Sequence, residues 1–282
     1  MNAARILLES DDNISGAEFA RIAEFTLRIS GIALPPSKQV MVEGRLRRRS
    51  RELGFERLSD YVAFVLDGVG GPAEADHLID ALTTNKTDFF REPAHFDALA
   101  DRLLPELADR RRAIKIWSAA SSIGAEPYSI AMVVSEFLKT RPDAEISILA
   151  SDISNEVLAA AERAVFSAEM IEPIPPAMRR AYLMRARDPK RAEYRIVPEL
   201  RAMVQFARIN LVESHYPVSP DFDVIFCRNL LIYFKRPTQE AVIKRLASHL
   251  RPGGYLVLGH TDSVVGMNVP LEGCGGAIFR RR

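Results

Sequence analysis

The sequence predicts an α/β fold, a doubly wound parallel sheet preceded by a small helical N-terminal domain. Three observations predict it. Apolar strand runs alternate with helical patterns from Ile114 onward, whereas no strand signal of comparable strength precedes Leu82. Helices between successive parallel strands imply the doubly wound arrangement. Between the first strand and its helix, KIWSAASSIGAEPYS (Lys115 to Ser129) passes from an apolar run through small residues to Gly124, and Pro127 then opens a helical pattern. Small residues and one glycine let backbone approach a ligand closely, and the crevice at the carboxyl end of such a strand is where cofactors sit. An ordinary βα turn that brings its helix close explains the same residues. The spacing is not G-x-G-x-x-G, which argues against a pyrophosphate ligand.

Composition narrows the classes. A chain of 282 residues, 48% hydrophobic, suits one or two globular domains with a sizeable core. With a formal charge of +1 it has no overall electrostatic footprint for nucleic acid or membrane, so any steering must come from a local patch. Two cysteines, Cys227 and Cys274, support neither a disulfide framework nor a zinc cluster, and no metal site is expected. Their use fits a reducing compartment. No apolar run is long enough to cross a bilayer, and Met1 to Ser15 carries acidic residues without a signal-peptide core. The chain therefore reads as cytoplasmic.

In order along the chain, helical spacing predicts helices at Glu18–Ile29, Ser37–Leu53, Leu58–Leu66 and Ala73–Leu82, with a turn at Gly68, Gly70, Gly71 and Pro72. The second helix carries GRLRRRSRE, in which Arg45, Arg48 and Arg49 share a face, with Arg47 and Arg51 nearby. Such a run is either a solvated basic face or a docking surface for an acidic partner. TTNKTDFFREPAHF, Thr83 to Phe96, forms a junction mixing Asn85, Thr87 and Arg91 with Phe89 and Phe90. Polar groups beside aromatic rings suit a ligand, although the Phe pair could simply anchor the junction. His95 is expected to be structural, because no partner acid accompanies it in the sequence.

The second strand, Ile146–Ala150, ends at Ser151 and Asp152, and Ser154 caps a helix through Glu162. Asp152 can accept from both ribose hydroxyls of a nucleoside, can help to cap that helix, or can do both. Residues 166–200, rich in proline, break the alternation and predict an inserted subdomain with a helix near Met178–Met184, a turn around Asp188–Lys190 and a strand at Tyr194–Val197. Core strands follow at Val204–Ile209, ending at Asn210 and Leu211, and at Phe222–Cys227, ending at Arg228, Asn229 and Leu230. Helix Gln239–Leu250, a turn at Pro252–Gly254, a fifth strand at Tyr255–Gly259 and a final antiparallel pair complete the reading.

These motifs carry a resemblance. TTNKTDFFREPAHF, IWSAASSIGAEPYSIAM, ASDISNEVL, FDVIFCRNLLIYF and LRPGGYLVLGHTDS stand in the order found in the chemotaxis receptor methyltransferases, the CheR family, which the chain resembles from about Phe19 to its C-terminus. The resemblance implies a helical domain over residues 1–82, with its basic receptor-facing helix at about 37–53. A junction over 83–96 would cover the cofactor. A Rossmann-like class I methyltransferase domain would span 97–282, with the β-subdomain inserted at about 166–203. It further implies methyl transfer from S-adenosylmethionine, leaving S-adenosylhomocysteine, to glutamate side chains of chemoreceptors. Asn85, Thr87, Arg91, Glu126, Asp152, Asn210, Leu211, Asn229 and Leu230 would bind the cofactor. Arg91 and Tyr233 would lie nearest the methyl group. Arg45, Arg48 and Arg49 would meet the acidic receptor bundle at the membrane arrays.

The chain departs from the family in places. Where S-T-G-E-E-P-Y-S is usual, Ile123 and Ala125 replace a hydroxyl and an acid, while Glu126 is retained. The GHSES run is GHTDS here. Members that hold a receptor tail have a Gly-rich subdomain hairpin, and no glycine lies between Gly124 and Gly253, which argues against tail tethering.

The chemistry implied needs little proton traffic. A glutamate carboxyl, with an ordinary pKa of about 4.3, is already a nucleophile at neutral pH. Alignment of oxygen, methyl and sulfur can contribute on the order of 7 to 11 kcal/mol, so Arg91 and Tyr233 are expected to position rather than to transfer protons. Cys227 reads as a small apolar strand residue and His260 as a local partner at a strand end. Two other readings compete: a receptor- or regulator-binding module with a degenerate cofactor site, and a nucleic-acid or small-molecule methyltransferase on the same sheet. Against the latter stand the balanced charge and the sequence Asn229, Leu230, Leu231, Ile232 where amino-methylating enzymes carry Asn-Pro-Pro-Tyr.

Overall fold

In the computed structural model, which describes residues 12–188 and 190–282, the chain divides into two compact units. One comprises the residues up to Thr84 with Tyr233–Lys235, and the other Asn85–Ile232 with Arg236–Arg282. Most of the N-terminal stretch read for a signal peptide, and Pro189 of the turn expected around 188–190, lie outside the described residues. Among the described residues no helix is long and apolar enough to cross a membrane.

The first unit is helical. Helix α1 (Gly16–Ser30) starts at a reciprocal cap: the Ser15 side chain accepts from Glu18 N–H at 3.2 Å, and the Glu18 carboxylate accepts from Ser15 N–H at 2.6 Å. It ends at Gly31, whose φ of 74° is the left-handed cap that glycine adopts without a β-carbon clash. A 3₁₀ turn at Pro36–Lys38 delays α2 to Gln39–Glu52, two residues later than its spacing predicts. Helices α3 (Leu58–Leu66) and α4 (Gly71–Leu82) follow. Phe19, Ile22, Val42, Leu46, Leu58, Val62, Leu78 and Leu82 fill the core.

The arginine-rich face of α2 is mostly engaged within its own unit. Arg45 donates to the carbonyls of Ala81, Leu82 and Thr83 at 3.3, 3.1 and 2.8 Å, where its charge meets the negative end of α4. Arg49 holds the buried Glu74 carboxylate through two bonds of 2.9 and 2.8 Å, and the Tyr61 hydroxyl donates to the same group at 2.9 Å. Hydrogen bonding to Arg49 holds Glu74 below its ordinary pKa, and burial pushes the Tyr61 phenol up. Of the three arginines expected to form one docking face, Arg48 is the one that stands out, with 78% of its side chain exposed and a 3.7 Å pair to Glu52.

The second unit is built on a seven-stranded sheet. It contains β1 (Ala113–Ala119), β2 (Glu145–Asp152), β6 (Val204–Arg208), β7 (Phe222–Cys227), β8 (Leu250–Leu258), β9 (Leu271–Gly273) and β10 (Ile278–Arg281), in the order β6-β2-β1-β7-β8-β10-β9. The first five are parallel, and β10 runs antiparallel to both β8 and β9. Burial on both faces explains the unbroken apolar runs of the central strands, every residue of β7 being buried. Helices α5 (Ala94–Ala98) and α6 (Leu104–Arg110), joined by a π-helical turn, precede β1. Helix α7 (Ala125–Thr140) connects β1 to β2, α8 (Asn155–Arg163) follows β2, and α11 (Arg236–His249) leads into β8.

The chain winds outward from β1 through β2 to β6 and then returns to β7 on the other side of β1. That reversal opens a crevice outside the carboxyl ends of β1 and β7. The inserted subdomain is a three-stranded antiparallel sheet, β3 (Val165–Ser167), β4 (Leu183–Arg185) and β5 (Glu193–Ile196), in the order β3-β5-β4, with α9 (Pro176–Tyr182) before β4 and α10 (Pro198–Ala202) after β5. Two sequence expectations are corrected. The helix expected to run to Met184 stops at Tyr182, because Leu183 pairs with Ile196 across the small sheet. The turn expected at Pro252–Gly254 lies inside β8, where a register shift between Phe222 and Val224 accommodates the extra residues and Gly253 takes a φ of 79°.

Candidate functional site

The loop from β1 to α7 holds three residues in left-handed backbone, Ala120 (φ 68°), Ser122 (φ 50°) and Gly124 (φ 95°). Two of these carry side chains that make such a conformation costly, so tertiary bonds must hold it. Ser121 N–H donates to the Ser151 carbonyl at 2.8 Å, Ser122 N–H to Asp152 Oδ2 at 2.9 Å, and Ser122 Oγ to the Asn85 carbonyl at 2.8 Å. The loop is thereby tied to the end of β2 and to the junction segment. At Gly124 a β-carbon would lie 3.0 Å from that of Ala161 and 3.1 Å from the Tyr128 ring, so both space and backbone angle demand glycine. Ser121 Oγ is buried without a hydrogen-bond partner. Ala125, which replaces an acid, is fully buried, and Ile123, which replaces a hydroxyl, packs against the core.

Asp152 is buried at the end of β2. Its Oδ1 accepts from Ser154 N–H at 3.1 Å in addition to the Ser122 contact, so it braces the start of α8 and the central loop together.

Beside this loop lies a buried charge array. Arg228, 6% exposed at the end of β7, donates from Nη1 to Glu126 Oε2 at 3.0 Å, and its Nη2 lies 3.2 Å from Glu92 Oε2. Nη2 also donates to the Arg91 carbonyl, and the guanidinium stands 5.5 Å from the Phe96 ring centroid. Glu126 Oε1 accepts from the Ser118 hydroxyl at 2.7 Å. Glu92 Oε1 accepts from the Asn229 side-chain amide at 3.1 Å. Burial raises the Glu92 carboxyl, but the Asn229 bond and the Arg228 charge outweigh it and leave the group below its ordinary value.

Asn229, with a φ of 57°, turns the chain at the crevice, and its N–H donates to Asp262 Oδ2 at 2.9 Å. Gly259 N–H donates to the same oxygen at 3.0 Å. A β-carbon on Gly259 would fall 2.6 Å from Asn229 Nδ2 and 2.9 Å from Asp262 Oδ2, so the GHTDS run is held by close packing as well as by charge. Burial pushes the Asp262 carboxyl up against these two bonds.

The junction loop is pinned from α7, where Ser129 Oγ accepts from Phe90 N–H at 3.0 Å and donates to the Ala125 carbonyl at 2.7 Å. Phe90 and Glu92 both take positive φ, 51° and 55°, which sets the half-buried Arg91 between them. Arg91 Nη1 donates to the Lys86 carbonyl at 3.2 Å.

The structure thus links Asn85 to Asp152 through Ser122, and Arg91, Glu126 and Asn229 to one another through Arg228 and Glu92. Thr87 is half-buried in the same junction loop. Asn210, whose Oδ1 accepts from Val212 N–H at 3.2 Å, and buried Leu211 follow β6, next to β2 in the sheet. Leu230 follows Asn229 and is half-buried. Tyr233 is grouped with the helical unit, where its carbonyl accepts from Ala33 N–H at 3.1 Å.

Sequence reasoning gave no role to Arg228, Glu92, Ser118, Ser121 or Asp262. A usable signal existed for Arg228, an arginine directly after the fully apolar run FDVIFC. His95 also departs from expectation. It has an acid beside it, Glu92 Oε2 at 3.4 Å from Nδ1, and the ring of His260 stands 4.9 Å away.

Comparison with known proteins agrees with this architecture. Residues 85–278 match the family model described as the CheR methyltransferase SAM binding domain, and residues 17–83 that of the CheR methyltransferase all-alpha domain. Chemotaxis protein methyltransferase 2 of Pseudomonas aeruginosa is 38% identical over 262 residues, 93% of this chain and 92% of that protein. The chemotaxis protein methyltransferase of Borreliella burgdorferi is 34% identical with complete coverage of both chains, and that of Escherichia coli is 39% identical over 89% of this chain and 85% of its own length. The chain belongs to the CheR methyltransferase family, and S-adenosylmethionine is its cofactor.

Proposed function

We propose that the protein methylates glutamate side chains of chemoreceptors in the cytoplasm, producing methyl esters and S-adenosylhomocysteine. The observation that carries this reading is the charge array at the crevice. The carboxylates of Glu92 and Glu126 share the Arg228 guanidinium, with the Asp152 carboxylate at the end of β2, an excess of negative charge that favours a cationic donor, and the acids are held by an arginine, a hydroxyl and amides. Such a set orients charge without removing a proton, which is what an already ionised acceptor requires.

The residues fit the cofactor. Ser121 offers a buried hydroxyl without a hydrogen-bond partner, in a left-handed loop that Gly124 lets pack closely against α7 and α8. Asp152 is suited to the ribose hydroxyls and Glu126 to the ammonium of the methionine portion, since a carboxylate oxygen can accept more than one hydrogen bond. Asn210, Leu211, Asn229 and Leu230 are assigned to its adenine and methionine portions, and Asn85 and Thr87 to the covering loop. When bound, the cofactor supplies an electrophilic methyl on a sulfonium. Arg91 and Tyr233 position the acceptor carboxylate. A carboxylate and a sulfonium become neutral products, so a dry pocket favours the charge-dispersed transition state. Arg48 is assigned to the acidic receptor surface, since Arg45 and Arg49 are engaged inside the helical unit.

The test is labelled methyl transfer from S-adenosylmethionine to receptor-bearing membranes. Label released as methanol by mild base is expected. Arg91→Ala should lower turnover tenfold or more at saturating cofactor, and by more than Tyr233→Phe. Label that survives base, or equal rates for wild type and Arg91→Ala, would remove this reading.

A further inference from the structure

Glu92, His95 and His260 bring three ligand atoms within 4.8 Å of one another, outside the set assigned to the cofactor. Their arrangement is specific. His95, 1% exposed, places Nε2 at 2.8 Å from the Gly276 carbonyl, which can only accept, so that nitrogen carries the proton. In the neutral ring Nδ1 is therefore the lone pair. It is buried, has no hydrogen-bond partner, and faces Glu92 Oε2 at 3.4 Å. Two electron-rich atoms set face to face in a buried position form a gap for a cation. A ligating histidine typically has its second nitrogen fixed by a carbonyl in this way.

We propose that Glu92 Oε2, His95 Nδ1 and His260 Nε2 form a zinc site with an open coordination position. Zinc bonds of about 2.0 to 2.2 Å place tetrahedral ligand atoms about 3.3 to 3.5 Å apart. Glu92 and His95 already have this spacing. His260 Nε2 lies 3.9 Å from the same carboxylate oxygen, and its ring is 55% exposed and stands edge-on to that of His95 at 4.9 Å, while its backbone N–H holds Glu92 Oε2 at 3.2 Å. Two imidazoles and one carboxylate select zinc over magnesium or calcium, which prefer all-oxygen sets.

Zinc and Arg228 use the same Glu92 oxygen, so loading the metal loosens the guanidinium that also holds Glu126 and the Arg91 carbonyl. Zinc therefore acts as an inhibitor, a consequence that rests on the function proposed above, whereas the site itself does not.

The experiment titrates chelator-stripped full-length protein with zinc against a chromophoric indicator. One tight equivalent is expected, unchanged by excess magnesium and weakened tenfold or more in His260→Ala and in His95→Gln. In His215→Ala and Cys274→Ser it should persist. His260→Ala without zinc should bind S-adenosylhomocysteine within twofold of wild type, and wild type should lose affinity at least threefold when zinc is added. Absence of a tight equivalent, or one that survives His260→Ala, overturns the site; because the indicator needs neither cofactor nor receptor, an inactive protein that binds zinc would sink the proposed function alone. A tight equivalent without the affinity loss would overturn the inhibition.

Discussion

Arg228→Met tests whether the charge array is structural as well as functional. The substitution keeps a long apolar stem and deletes the guanidinium. Breaking a buried ion pair from one side costs about 3 to 5 kcal/mol, because the partner's charge is left without compensation. Here two carboxylates are stranded, yet Glu126 keeps the Ser118 bond of 2.7 Å and Glu92 keeps the Asn229 bond of 3.1 Å. The lower end, about 3 kcal/mol, is therefore expected. With about 2 to 4 °C per kcal/mol for large domains, the major calorimetric transition should fall by about 6 to 12 °C. Adding Glu126→Gln should recover part of the loss, since the stranded charge disappears with it, and the two effects should be non-additive. A variant that melts within 1 °C of wild type, or strictly additive effects in the double variant, would refute the reasoning.

Three further outcomes follow from the geometry. Gly259→Ala forces a β-carbon to within 2.6 Å of the Asn229 amide, so a destabilisation of about 1 to 3 kcal/mol and weaker S-adenosylhomocysteine binding by calorimetry are expected; unchanged affinity would show that Asn229 tolerates displacement. Glu74 is held below its ordinary 4.5 chiefly by Arg49, so its contribution is full above that value and disappears as pH falls through the lower folded value. The advantage of wild type over Glu74→Gln, about 2 kcal/mol for bonds to a charged group, should be complete at pH 7 and shrink below pH 4.5, and melting curves with a constant gap down to pH 3 would contradict it. Arg48→Glu should lower receptor methylation several-fold at low salt while leaving Tm and S-adenosylhomocysteine affinity unchanged, because its pair with Glu52 is long and exposed; equal methylation would move the receptor surface elsewhere.

What the sequence made legible follows from how local each signal is. Helices α1 and α3 and strand β7 stand close to their expected bounds, because caps at Ser15 and Gly31 and an apolar run such as FDVIFC act over a few residues. The glycine of the central loop was legible for the same reason. Pro252–Gly254 misled because a glycine pair signals a turn and a bulged strand equally, and only pairing with β7 decides between them. The arginines of α2 misled differently. Arg45 and Arg49 are turned onto the end of α4 and Glu74, partners 25 or more positions away, while Arg48 points outward. Arg228 was invisible as a hub, since its contacts lie at positions 91, 92 and 126.

That hub alters what Glu126 does. From the resemblance alone it is a cofactor ligand in a loop. In the structure both of its oxygens already have donors, Ser118 on one and Arg228 on the other. A carboxylate held in this way has lost its rotational freedom before any ligand arrives, so a ligand's ammonium meets a fixed lone pair instead of ordering a mobile chain. The same guanidinium fixes the Arg91 backbone through its carbonyl, so the residue proposed to position the acceptor and the residue proposed to grip the donor are both held by one buried cation. Distances between donor and acceptor in a methyl transfer must hold to a fraction of an ångström. Three segments remote in sequence meet at Arg228, and its rigidity gives that precision a physical source that no single motif contains.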